Sequence, residues 1–408
     1  MKILVIGGGG REHALCWKLA QSAAVEVHCA PGNPGIASVA NTYATTDYVA
    51  LAQRIRPGLT IVGPEAPLVQ GIVDQFRSHD LPILGPTAAA AQIESSKAFA
   101  KELMRQAQIP TARYIAVQSL AEAQTALRSF DLPVVLKADG LAAGKGVIIA
   151  HTQEEAQSVV VPLLRLSGRL VIEEFLQGEE VSYIALTDGE QILPLEPAQD
   201  HKALLDSDLG PNTGGMGAYC DGRILDAGQR ELILNTILQP AIAHMRANGT
   251  PFCGFLFAGL MLTQEGPKVL EFNARLGDPE TQALLPLLAS DLTPFLEAAA
   301  RGQLDTTPLE WRPGGSACVV MAARGYPGDP ITGDPITGLN TNPALVFQAG
   351  TRQSENVLYT SGGRVLGVTA AAETLPAAIQ SAYAGVSRIN FAGMQYRTDI
   401  GKKGLKRW

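Results

Sequence analysis

The amino-acid sequence lacks the patterns that mark several classes of protein. None of its apolar runs approaches the roughly 18 residues that a membrane-spanning helix needs. A block of basic residues is also missing: the formal net charge is −7, with acidic and basic side chains interspersed, which argues against a nucleic-acid-binding surface. We therefore expect neither a membrane nor a nucleic acid among its partners, whereas small phosphorylated ligands are compatible with this charge.

Clusters of metal-binding or redox-active residues are missing too. The five cysteines form no C-x-x-C pair, and the six histidines form no H-x-x-x-H pattern. Scattered cysteines among apolar residues are typical of reduced thiols, so we expect a cytoplasmic protein without a zinc site. The sequence shows no Ser/His/Asp or Cys/His arrangement either, so no covalent nucleophile is evident.

What the sequence does contain is enough apolar material for two or three domains. Of the 408 residues, 46% are hydrophobic and 17% are charged. Three blocks can be distinguished: 1–100, 101–310 and 311–408. In the first, the apolar segments KILVIG, VEVHCA, LTIVGP and LPILGP alternate with helical stretches, which predicts a parallel sheet with helices on its faces. The last block contains the β-like segments SACVVMAA, LVFQAG and GRVLGVTAA, followed by a closing helix and strand.

Turn-forming segments follow the four predicted strands of the first block: GGGGREH (7–13), PGNPG (31–35), GPEAP (63–67) and GPT (85–87). Ligands of parallel sheets bind at the carboxyl ends of the strands, so these loops predict a pocket along one rim. The glycine run misses the dinucleotide fingerprint, because Glu12 or His13 occupies the place of its third glycine. A small anion at the helix start is the favoured interpretation; an NAD or FAD site and a purely structural turn are the alternatives.

A second glycine-rich segment, LKADGLAAGKGVII (136–149), differs from the common phosphate-binding loop. Asp139 stands in place of the first glycine, and Gly146 in place of the Ser or Thr that would bind magnesium. Lys137 ends an apolar strand and Lys97 starts a helix, so their ammonium groups are candidates for a phosphate site, although either lysine alone is more often a solvated surface charge. We predict that residues 139–146 form a mobile lid over phosphates.

Two acidic segments complete the pattern. In KVLEFNAR, the strand period of two places Glu271, Asn273 and Arg275 on one face. A carboxylate and an amide oxygen suit magnesium, and an arginine can pair with a transferred phosphoryl group. An exposed polar strand face is the alternative interpretation of this segment. In VIEEFLQGEE, the backbone edge is a candidate for reading an adenine, with Glu179 or Glu180 on the ribose hydroxyl groups.

Taken together, Lys97, Lys137, the glycine-rich lid, EEFL and EFN resemble the ATP-grasp superfamily. Within it, the longer strings resemble the glycinamide ribonucleotide synthetase family from residue 3 to about 401: GGGGREHAL, GPEAPLVQGIVD, KADGLAAGKGV, AQDHKALLDSDLGPNTGGMGAY, EFNARLGDPETQ, SGGRVLGV and YRTDIG. This resemblance implies an α/β and α+β fold. An N-terminal parallel-sheet domain (1–100) would bind substrate, followed by a two-part ATP-grasp domain (101–310, with a lid at about 112–180) and a small mixed α/β C-terminal domain (311–408).

The resemblance also implies an activity. The family's ligases join glycine to 5-phosphoribosylamine through glycyl phosphate, giving glycinamide ribonucleotide, ADP and phosphate in purine biosynthesis. ATP would be the co-substrate, together with Mg²⁺ or Mn²⁺. A cytoplasmic monomer is implied, with transient contact to the upstream amidotransferase as a hypothesis.

Matching positions imply the roles of individual residues. Those on ATP would be Lys97, Lys137 and Lys145 for the phosphates, Glu173 and the backbone from Glu174 to Leu176 for adenine, and Glu180 or Glu179 for ribose. The metal ligands would be Glu271 and Asn273, and the catalytic candidates are Arg275, Lys137 and Asp278. The glycine side would comprise Asp200, Asn212, Thr213, Gly214, Gly215, Arg275 and Asp278, and the phosphoribosylamine side Gly9, Gly10, Asn33 and Glu65.

This chain departs from the family pattern at three positions. Ala203 replaces an arginine, Leu276 a phenylalanine and Gln348 a histidine. The first two are expected near the site, so we expect substrate affinity to differ from that of the family. Two alternatives stay open. One is a ligase or carboxylase for another carboxylate, which would lack the PGNPG and NTGGMG segments. The other is a regulatory nucleotide-binding protein, which would have lost part of EFNAR. This sequence contains all three segments.

Overall fold

The computed structural model describes residues 1–141 and 146–408. The strands of the first 180 residues are β1 (Lys2–Gly7), β2 (Glu26–Pro31), β3 (Asn41–Thr42), β4 (Leu59–Val62), β5 (Ile83–Leu84), β6 (Tyr114–Val117), β7 (Val134–Ala138), β8 (Val147–Ala150) and β9 (Leu170–Glu174). The later strands are β10 (Glu179–Thr187), β11 (Ile192–Pro194), β12 (Ala198–Asp200), β13 (Ala203–Leu205), β14 (Leu209–Asn212), β15 (Gly217–Asp221), β16 (Gly254–Thr263), β17 (Gly266–Asn273), β18 (Gly315–Ala322), β19 (Pro335–Ile336), β20 (Leu345–Gln348), β21 (Thr351–Ser354), β22 (Val357–Thr360) and β23 (Arg364–Ala372).

Helices separate these strands. The α-helices are α1 (Gly10–Leu19), α2 (Tyr48–Ile55), α3 (Glu65–Val69), α4 (Ile72–Ser78), α5 (Gln92–Ser95), α6 (Lys97–Gln106), α7 (Leu120–Leu127), α8 (Gln153–Ser167), α9 (Ala227–Ile233), α10 (Gln239–Ala247), α11 (Glu280–Leu284), α12 (Thr293–Ala300) and α13 (Leu375–Val386). A π-helical turn, Leu234–Leu238, joins α9 to α10, and 3₁₀ turns lie at Ile36–Ser38, Asp206–Asp208, Gly222–Ile224 and Lys402–Arg407. Within the described ranges, no helix is long and apolar enough to cross a membrane.

The first block forms a five-stranded sheet in the order β3-β2-β1-β4-β5, with every pair parallel. Its central strand carries Ile3, Leu4, Val5 and Ile6 in succession, and all four side chains are fully buried. A continuous apolar run is expected in a parallel strand that is covered on both faces. The four strands predicted from the sequence are confirmed, and β3 is a short addition at the edge.

A separate four-stranded antiparallel sheet follows, in the order β6-β9-β7-β8. Helix α8 packs on β7, β8 and β9, and α7 packs on β6 and β9. A capping box fixes the start of α8. The Thr152 hydroxyl accepts a hydrogen bond from the Glu155 amide, and the Glu155 carboxylate accepts one from the Thr152 amide. This sheet and its helices share a hydrophobic core of their own, whose buried members lie between Val117 and Ile172.

The largest sheet has nine strands, eight of them in the order β17-β16-β10-β12-β15-β18-β23-β20 and β11 paired with β10. The segment VIEEFLQGEE includes the end of β9 and the start of β10. Because β15 pairs with β18, this sheet continues across residue 311. The predicted closing strand is wrong: after α13 the chain makes isolated bridges at Asn390 and Gln395 and then the 3₁₀ turn. Ile389 and Phe391 alternate with the exposed Asn390 there, but Gly393, which adopts positive φ, ends this short alternation.

The first sheet is held to the largest sheet by two shared cores. Leu4 and Ile6 belong to one cluster and Ile3 and Val5 to the other, and each cluster also contains residues of the nine-stranded sheet. Each fully buried aliphatic side chain contributes about 1.5–3 kcal/mol. Successive side chains of β1 therefore pack alternately into the two cores. This packing fixes the rim of the first sheet against the end of β17.

Candidate active site

One cleft of about 640 Å³ opens where the three sheets meet. Its lining includes many of the residues singled out in the sequence: Glu65, Lys97, Lys137, Glu173, Glu174, Leu176, Glu180, Asp200, Asn212, Thr213, Gly214, Glu271, Asn273, Arg275 and Asp278. Others also line it that the sequence did not single out: Arg11, Glu94, Lys101, Lys202, Glu280, Tyr326 and Arg364. Lys145 lies outside the described residues, as do residues 142–144 of the predicted lid at 139–146. The cleft thus gathers side chains that are up to 353 positions apart in the chain, from Arg11 to Arg364.

Arg275 lies between the first sheet and the end of β17. Its Nη2 is 2.9 Å from Glu94 Oε1, and its Nε is 3.3 Å from Glu65 Oε2. The second oxygen of Glu94 accepts a hydrogen bond from the Ala274 amide at 2.7 Å. Burial lowers the pKa of Arg275, but Glu94 and Glu65 more than offset this, so the guanidinium stays charged. Two carboxylates therefore fix both the position and the charge of this arginine.

Glu271 and Asn273 present oxygen atoms beside this arginine. Arg275 Nη2 donates to Asn273 Oδ1 at 3.4 Å, and Glu271 Oε1 is 3.7 Å from Lys202 Nζ. Burial raises the pKa of Glu271, but Lys202, Lys137 and other cations lower it below the usual value. An ionised carboxylate next to an amide oxygen is a donor set that fits magnesium, which takes one or two protein oxygens and completes its coordination with phosphates and water. Within the described ranges, no group of three or more His, Cys, Asp and Glu side chains is arranged to hold a metal ion.

A buried carboxylate joins two lysines on the opposite side. Glu173 Oε2 is 2.9 Å from Lys101 Nζ and 3.0 Å from Lys137 Nζ, and all three side chains are less than a tenth exposed. Burial lowers the pKa of Lys101 to about 8. Lys97, one helical turn earlier on α6, donates to the Gly140 carbonyl at 2.8 Å. Lys101 was missed, although residues four apart on a helix share a face and the sequence placed Lys97 in the site.

The segment after β9 borders a small apolar cluster. Leu176, Met261 and Ala112 are buried there, with Leu270 packed against them. The amide of Glu174 donates to the Arg113 carbonyl at 3.0 Å, and its carboxylate accepts from the Arg113 amide at 2.9 Å. Glu174 is therefore bonded to the start of β6. The apolar surface around Leu176 has the character that a flat heterocyclic ring requires.

The two adjacent acids at the start of β10 point in different directions. Glu180 lines the cleft, and its carboxylate is 3.2 Å from Lys202 Nζ. Glu179 is outside the lining and pairs with Lys406 at 2.6 Å and with Arg407 at 2.5 Å. The sequence left both residues as candidates for ribose, and the structure brings Glu180 into the cleft.

An Asp/Arg pair lies at the far end of the cleft. Arg364 Nη2 is 3.1 Å from Asp278 Oδ2, and Arg364 also donates to the carbonyls of Asp278 and Gly214. The Gly214 amide donates to the Tyr326 hydroxyl at 2.9 Å. Burial raises the pKa of Asp278, but Arg364 and other cations bring it below the usual value. A carboxylate and a guanidinium side by side can receive both charged groups of an amino acid.

Asp200 and Gly215 approach each other beside this pair. Burial raises the pKa of Asp200 well above its usual value, and Glu280 adds to the effect. Gly215 has φ +109°, and a Cβ built on it would lie 2.5 Å from Pro279 Cδ and 2.7 Å from Asp200 Oδ1. Only glycine fits there. The neighbouring Thr213 hydroxyl donates to the Lys202 carbonyl at 2.8 Å, which fixes the turn before Gly215.

The glycine-rich rim of the first sheet lies outside the cleft lining. The Gly9 amide donates to Glu12 Oε2 at 2.6 Å, and Asn33 Nδ2 donates to the carbonyls of Gly8 and Gln348. A Cβ on Gly10 would lie 2.6 Å from Gln282 Nε2. Several donors predicted to face an anion are thus bonded within the protein. Arg11 extends from this rim into the cleft.

The three departures from the family pattern have distinct surroundings. Ala203 is buried in β13, and its carbonyl accepts from Arg397 Nη1 at 3.1 Å. Leu276 is buried, and its carbonyl accepts from Arg11 Nη1 at 3.2 Å. Gln348 contacts the glycine-rich rim, because its amide donates to His13 Nδ1 at 2.7 Å. Leu276 and Gln348 therefore contact residues of the rim, and Ala203 follows Lys202, which lines the cleft.

Comparison with known proteins identifies the family. Three family models match in succession: phosphoribosylglycinamide synthetase N domain (residues 1–94), ATP-grasp (A) domain (95–281) and C domain (316–403). A phosphoribosylamine–glycine ligase of Allochromatium vinosum is 50% identical over 100% of this chain and 99% of its own length. One of Xylella fastidiosa is 48% identical over 100% and 97%.

Solved structures agree with this result. The crystal structure of phosphoribosylamine–glycine ligase from Thermotoga maritima has a TM-score of 0.87 and 33% identity, covering 98% of this chain and 100% of the other. The biotin carboxylase domain of a Hydrogenobacter thermophilus 2-oxoglutarate carboxylase shares the fold, with a TM-score of 0.74 and 15% identity over 97% of this chain and 91% of the other. The fold class predicted from the sequence is confirmed. The chain belongs to the phosphoribosylglycinamide synthetase family, as its sequence motifs indicate.

Proposed function

We propose that this protein joins glycine to 5-phosphoribosylamine at the expense of ATP, releasing glycinamide ribonucleotide, ADP and phosphate in purine biosynthesis. One observation carries the proposal: a single cleft contains lysines for phosphates, an oxygen pair for magnesium and an Asp/Arg pair for an amino acid. The full-length similarity to phosphoribosylamine–glycine ligases supports the choice of substrates.

ATP would occupy the side of the cleft formed by α6, β7, β9 and β10. Lys97 and Lys137 bind its phosphates, Glu180 binds the ribose hydroxyl groups, and the apolar surface at Leu176 accepts the adenine. Glu173 holds Lys137 in place through the 3.0 Å ion pair. Since Glu174 is bonded to Arg113, we assign the adenine to the backbone of Phe175 and Leu176.

Magnesium would be held by Glu271 and Asn273, with manganese as a substitute. When bound, the ion neutralises charge on the phosphates of the nucleotide. Arg275 provides further positive charge beside these ligands. Its guanidinium is held by Glu94 and Glu65, so it is oriented before any substrate arrives, as electrostatic stabilisation of a transition state requires.

The chemistry needs no covalent enzyme intermediate. A carboxylate oxygen of glycine attacks the γ-phosphorus of ATP, and the bond to the β-phosphate oxygen breaks to release ADP. The amine of phosphoribosylamine then attacks the carbonyl carbon of glycyl phosphate, loses a proton, and the carbon–oxygen bond breaks to release phosphate. The protein's share is to position three substrates and to exclude water from the acyl phosphate.

Glycine would bind at the far end of the cleft. Asp200 or Asp278 receives its ammonium group, and the turn formed by Asn212, Thr213, Gly214 and Gly215 lies beside the acyl carbon. The raised pKa of Asp200 supports this assignment, because burial disfavours its charged form and an ammonium bound beside it would stabilise that form. Phosphoribosylamine would enter from the first sheet, where Glu65 and Arg11 line the cleft and Gly9, Gly10 and Asn33 form the rim.

We propose domain boundaries at 1–100, 101–310 and 311–408. The separate core of the four-stranded sheet supports treating about 112–180 as a lid that moves as a body. The proposed state is a cytoplasmic monomer that receives the unstable amine from an amidotransferase by transient contact. Transfer between the two enzymes no faster than free diffusion would argue against that contact.

The test is ADP release by the purified protein with ATP, magnesium and glycine, in the presence or absence of phosphoribosylamine formed in situ from ribose 5-phosphate and ammonia. We expect release that depends on both substrates and glycinamide ribonucleotide in equal amount. Release with a different carboxylate, but not with glycine, would assign the cleft to another ligase. ATP binding without release under any condition would favour a regulatory role.

A further inference from the structure

Residues 402–408 lie against the start of β10. The 3₁₀ turn Lys402–Arg407 presents two cations to one carboxylate: Lys406 Nζ is 2.6 Å and Arg407 Nη2 is 2.5 Å from the oxygens of Glu179. Burial raises the pKa of Glu179, but these two cations lower it below the usual value. Both ion pairs are therefore present at neutral pH.

A chain of hydrogen bonds leads from the same segment to the backbone of Glu180. Arg407 Nη1 donates to the Tyr219 hydroxyl at 3.3 Å, and this hydroxyl donates to Gln199 Oε1 at 2.6 Å. Gln199 Nε2 then donates to the Glu180 carbonyl at 2.6 Å and to Glu179 Oε1 at 3.2 Å. Gln199 and Tyr219 are fully buried, so these bonds are shielded from water.

The segment is anchored a second time beyond Arg407. Trp408 Nε1 donates to Asp221 Oδ2 at 2.6 Å, and the guanidinium of Arg223 lies 3.3 Å from the centre of the Trp408 ring. Asp221 ends β15, two strands away from β10 in the largest sheet. The segment thus connects the end of one strand with the beginning of another.

We propose that Lys406 and Arg407 are positioning residues for ATP. Successive side chains of a strand point to opposite faces, so holding Glu179 outside the cleft directs Glu180 into it. The bond from Gln199 to the Glu180 carbonyl fixes the same point of the backbone. This inference rests on the proposed role of Glu180 in ribose binding. It adds that the contact of Lys406 and Arg407 with Glu179 sets the affinity for the nucleotide.

Calorimetric titration with magnesium and ATP tests the proposal directly. The variants are Arg407→Ala and Lys406→Ala, and the matched control is Lys402→Ala, an exposed lysine of the same 3₁₀ turn. We expect the Kd for ATP to rise about tenfold in the two variants, the lower end of the range observed when groups that orient binding residues are removed. The control should bind ATP as wild type does, and the KM for glycine should be unchanged in all three.

If the ion pair had a purely structural role, changes at Glu179 and Arg407 would not be coupled in their effect on ATP affinity. Glu179→Gln should weaken ATP binding by a similar factor, and Glu179→Gln combined with Arg407→Ala should weaken it no further than the stronger single change. Folded variants that bind ATP within about twofold of wild type, or fully additive losses, would overturn the proposal. If Arg407→Ala does not fold, Lys406→Ala decides, because its side chain is 62% exposed.

These results are independent of the ligase reaction. The titration measures nucleotide binding without glycine or phosphoribosylamine, so it is informative even if the protein releases no ADP. Failure of the proposed function would appear as normal ATP binding without turnover in wild type. Failure of the positioning proposal would appear as normal ATP binding in the variants.

Discussion

Replacing Glu173 with glutamine tests the charge network beneath the cleft. Glu173 Oε2 contacts both Lys101 and Lys137, at 2.9 and 3.0 Å, and the carboxylate is 2% exposed. Glutamine has nearly the same shape but no charge, so it leaves two ammonium groups buried without their counter-ion. Removing one partner of a buried ion pair costs about 3–5 kcal/mol. Since the glutamine oxygen can still accept one hydrogen bond, we expect the unfolding free energy to fall by about 3 kcal/mol.

The loss should depend on pH, with a defined sign. Burial lowers the pKa of Lys101 from 10.5 to about 8, so between these values the unfolded chain binds more protons and stability rises with pH. Glu173 raises the pKa of Lys101, so its removal lowers that pKa further. At a pH at which Lys101 is charged in the wild-type protein, each pKa unit of this further fall adds about 1.4 kcal/mol of destabilisation. At a pH at which Lys101 is neutral in both wild type and variant, the fall adds nothing. The penalty should therefore be larger at about pH 6 than at about pH 9.

Urea unfolding followed by circular dichroism measures both quantities, provided that the denaturant slope is the same in wild type and variant. Glu102→Gln is the matched control, because Glu102 lies on the neighbouring α6 and forms an exposed ion pair with Arg105. It should leave the unfolding free energy unchanged. Lys101→Met added to Glu173→Gln should recover part of the stability. A Glu173→Gln loss below about 1 kcal/mol, or one independent of pH, would refute the reasoning.

Three further changes test the site. Glu271→Ala should abolish ADP release at millimolar magnesium without altering the circular dichroism spectrum, because the side chain is 38% exposed; a rate near wild type would remove it from the metal site. Arg275→Lys should lower kcat about a hundredfold, since one ammonium cannot span Glu94 and Glu65; an unchanged kcat would contradict its role. Gly215→Ala should destabilise the fold by about 1–3 kcal/mol and raise the KM for glycine, because Gly215 has positive φ and lies against Pro279; wild-type kinetics and stability would show that the turn tolerates a side chain.

Local patterns were enough to predict much of the fold. The apolar runs of β1, β2, β4 and β5, and the helix beginning at Lys97, depend on neighbouring residues and were predicted correctly. The prediction of a closing strand was wrong because the alternation of Ile389 and Phe391 is short and ends at Gly393, which adopts positive φ. The continuation of the largest sheet through β18 could not be read from the sequence, since β15 and β18 are almost a hundred positions apart.

In the site, too, residues of one local pattern were predicted, whereas residues whose partners are distant in the chain were missed. Glu271, Asn273 and Arg275 follow one strand pattern, and the structure places all three in the cleft. Arg364 and Glu94 were missed because their partners, Asp278 and Arg275, lie 86 and 181 positions away. Lys101 could have been found from its helical spacing to Lys97.

Long-range bonds also explain the rim of the first sheet. Gly9 and Asn33 were predicted to contact phosphoribosylamine. The Gly9 amide instead donates to Glu12, a local bond that the capping-box spacing could have indicated. Asn33 donates to Gln348, which is 315 positions away. No local pattern identifies such a partner, so a predicted free donor can prove to be bonded within the protein.

The central claim is that the glycine carboxylate is activated by the γ-phosphate of ATP in this cleft. The most direct measurement uses glycine labelled with ¹⁸O in both carboxylate oxygens, with ATP, magnesium and phosphoribosylamine, and follows the label by mass spectrometry. The proposed mechanism predicts one ¹⁸O atom in each released phosphate and one in each glycinamide ribonucleotide. Unlabelled phosphate would contradict it, because glycine would then have reacted without passing through glycyl phosphate.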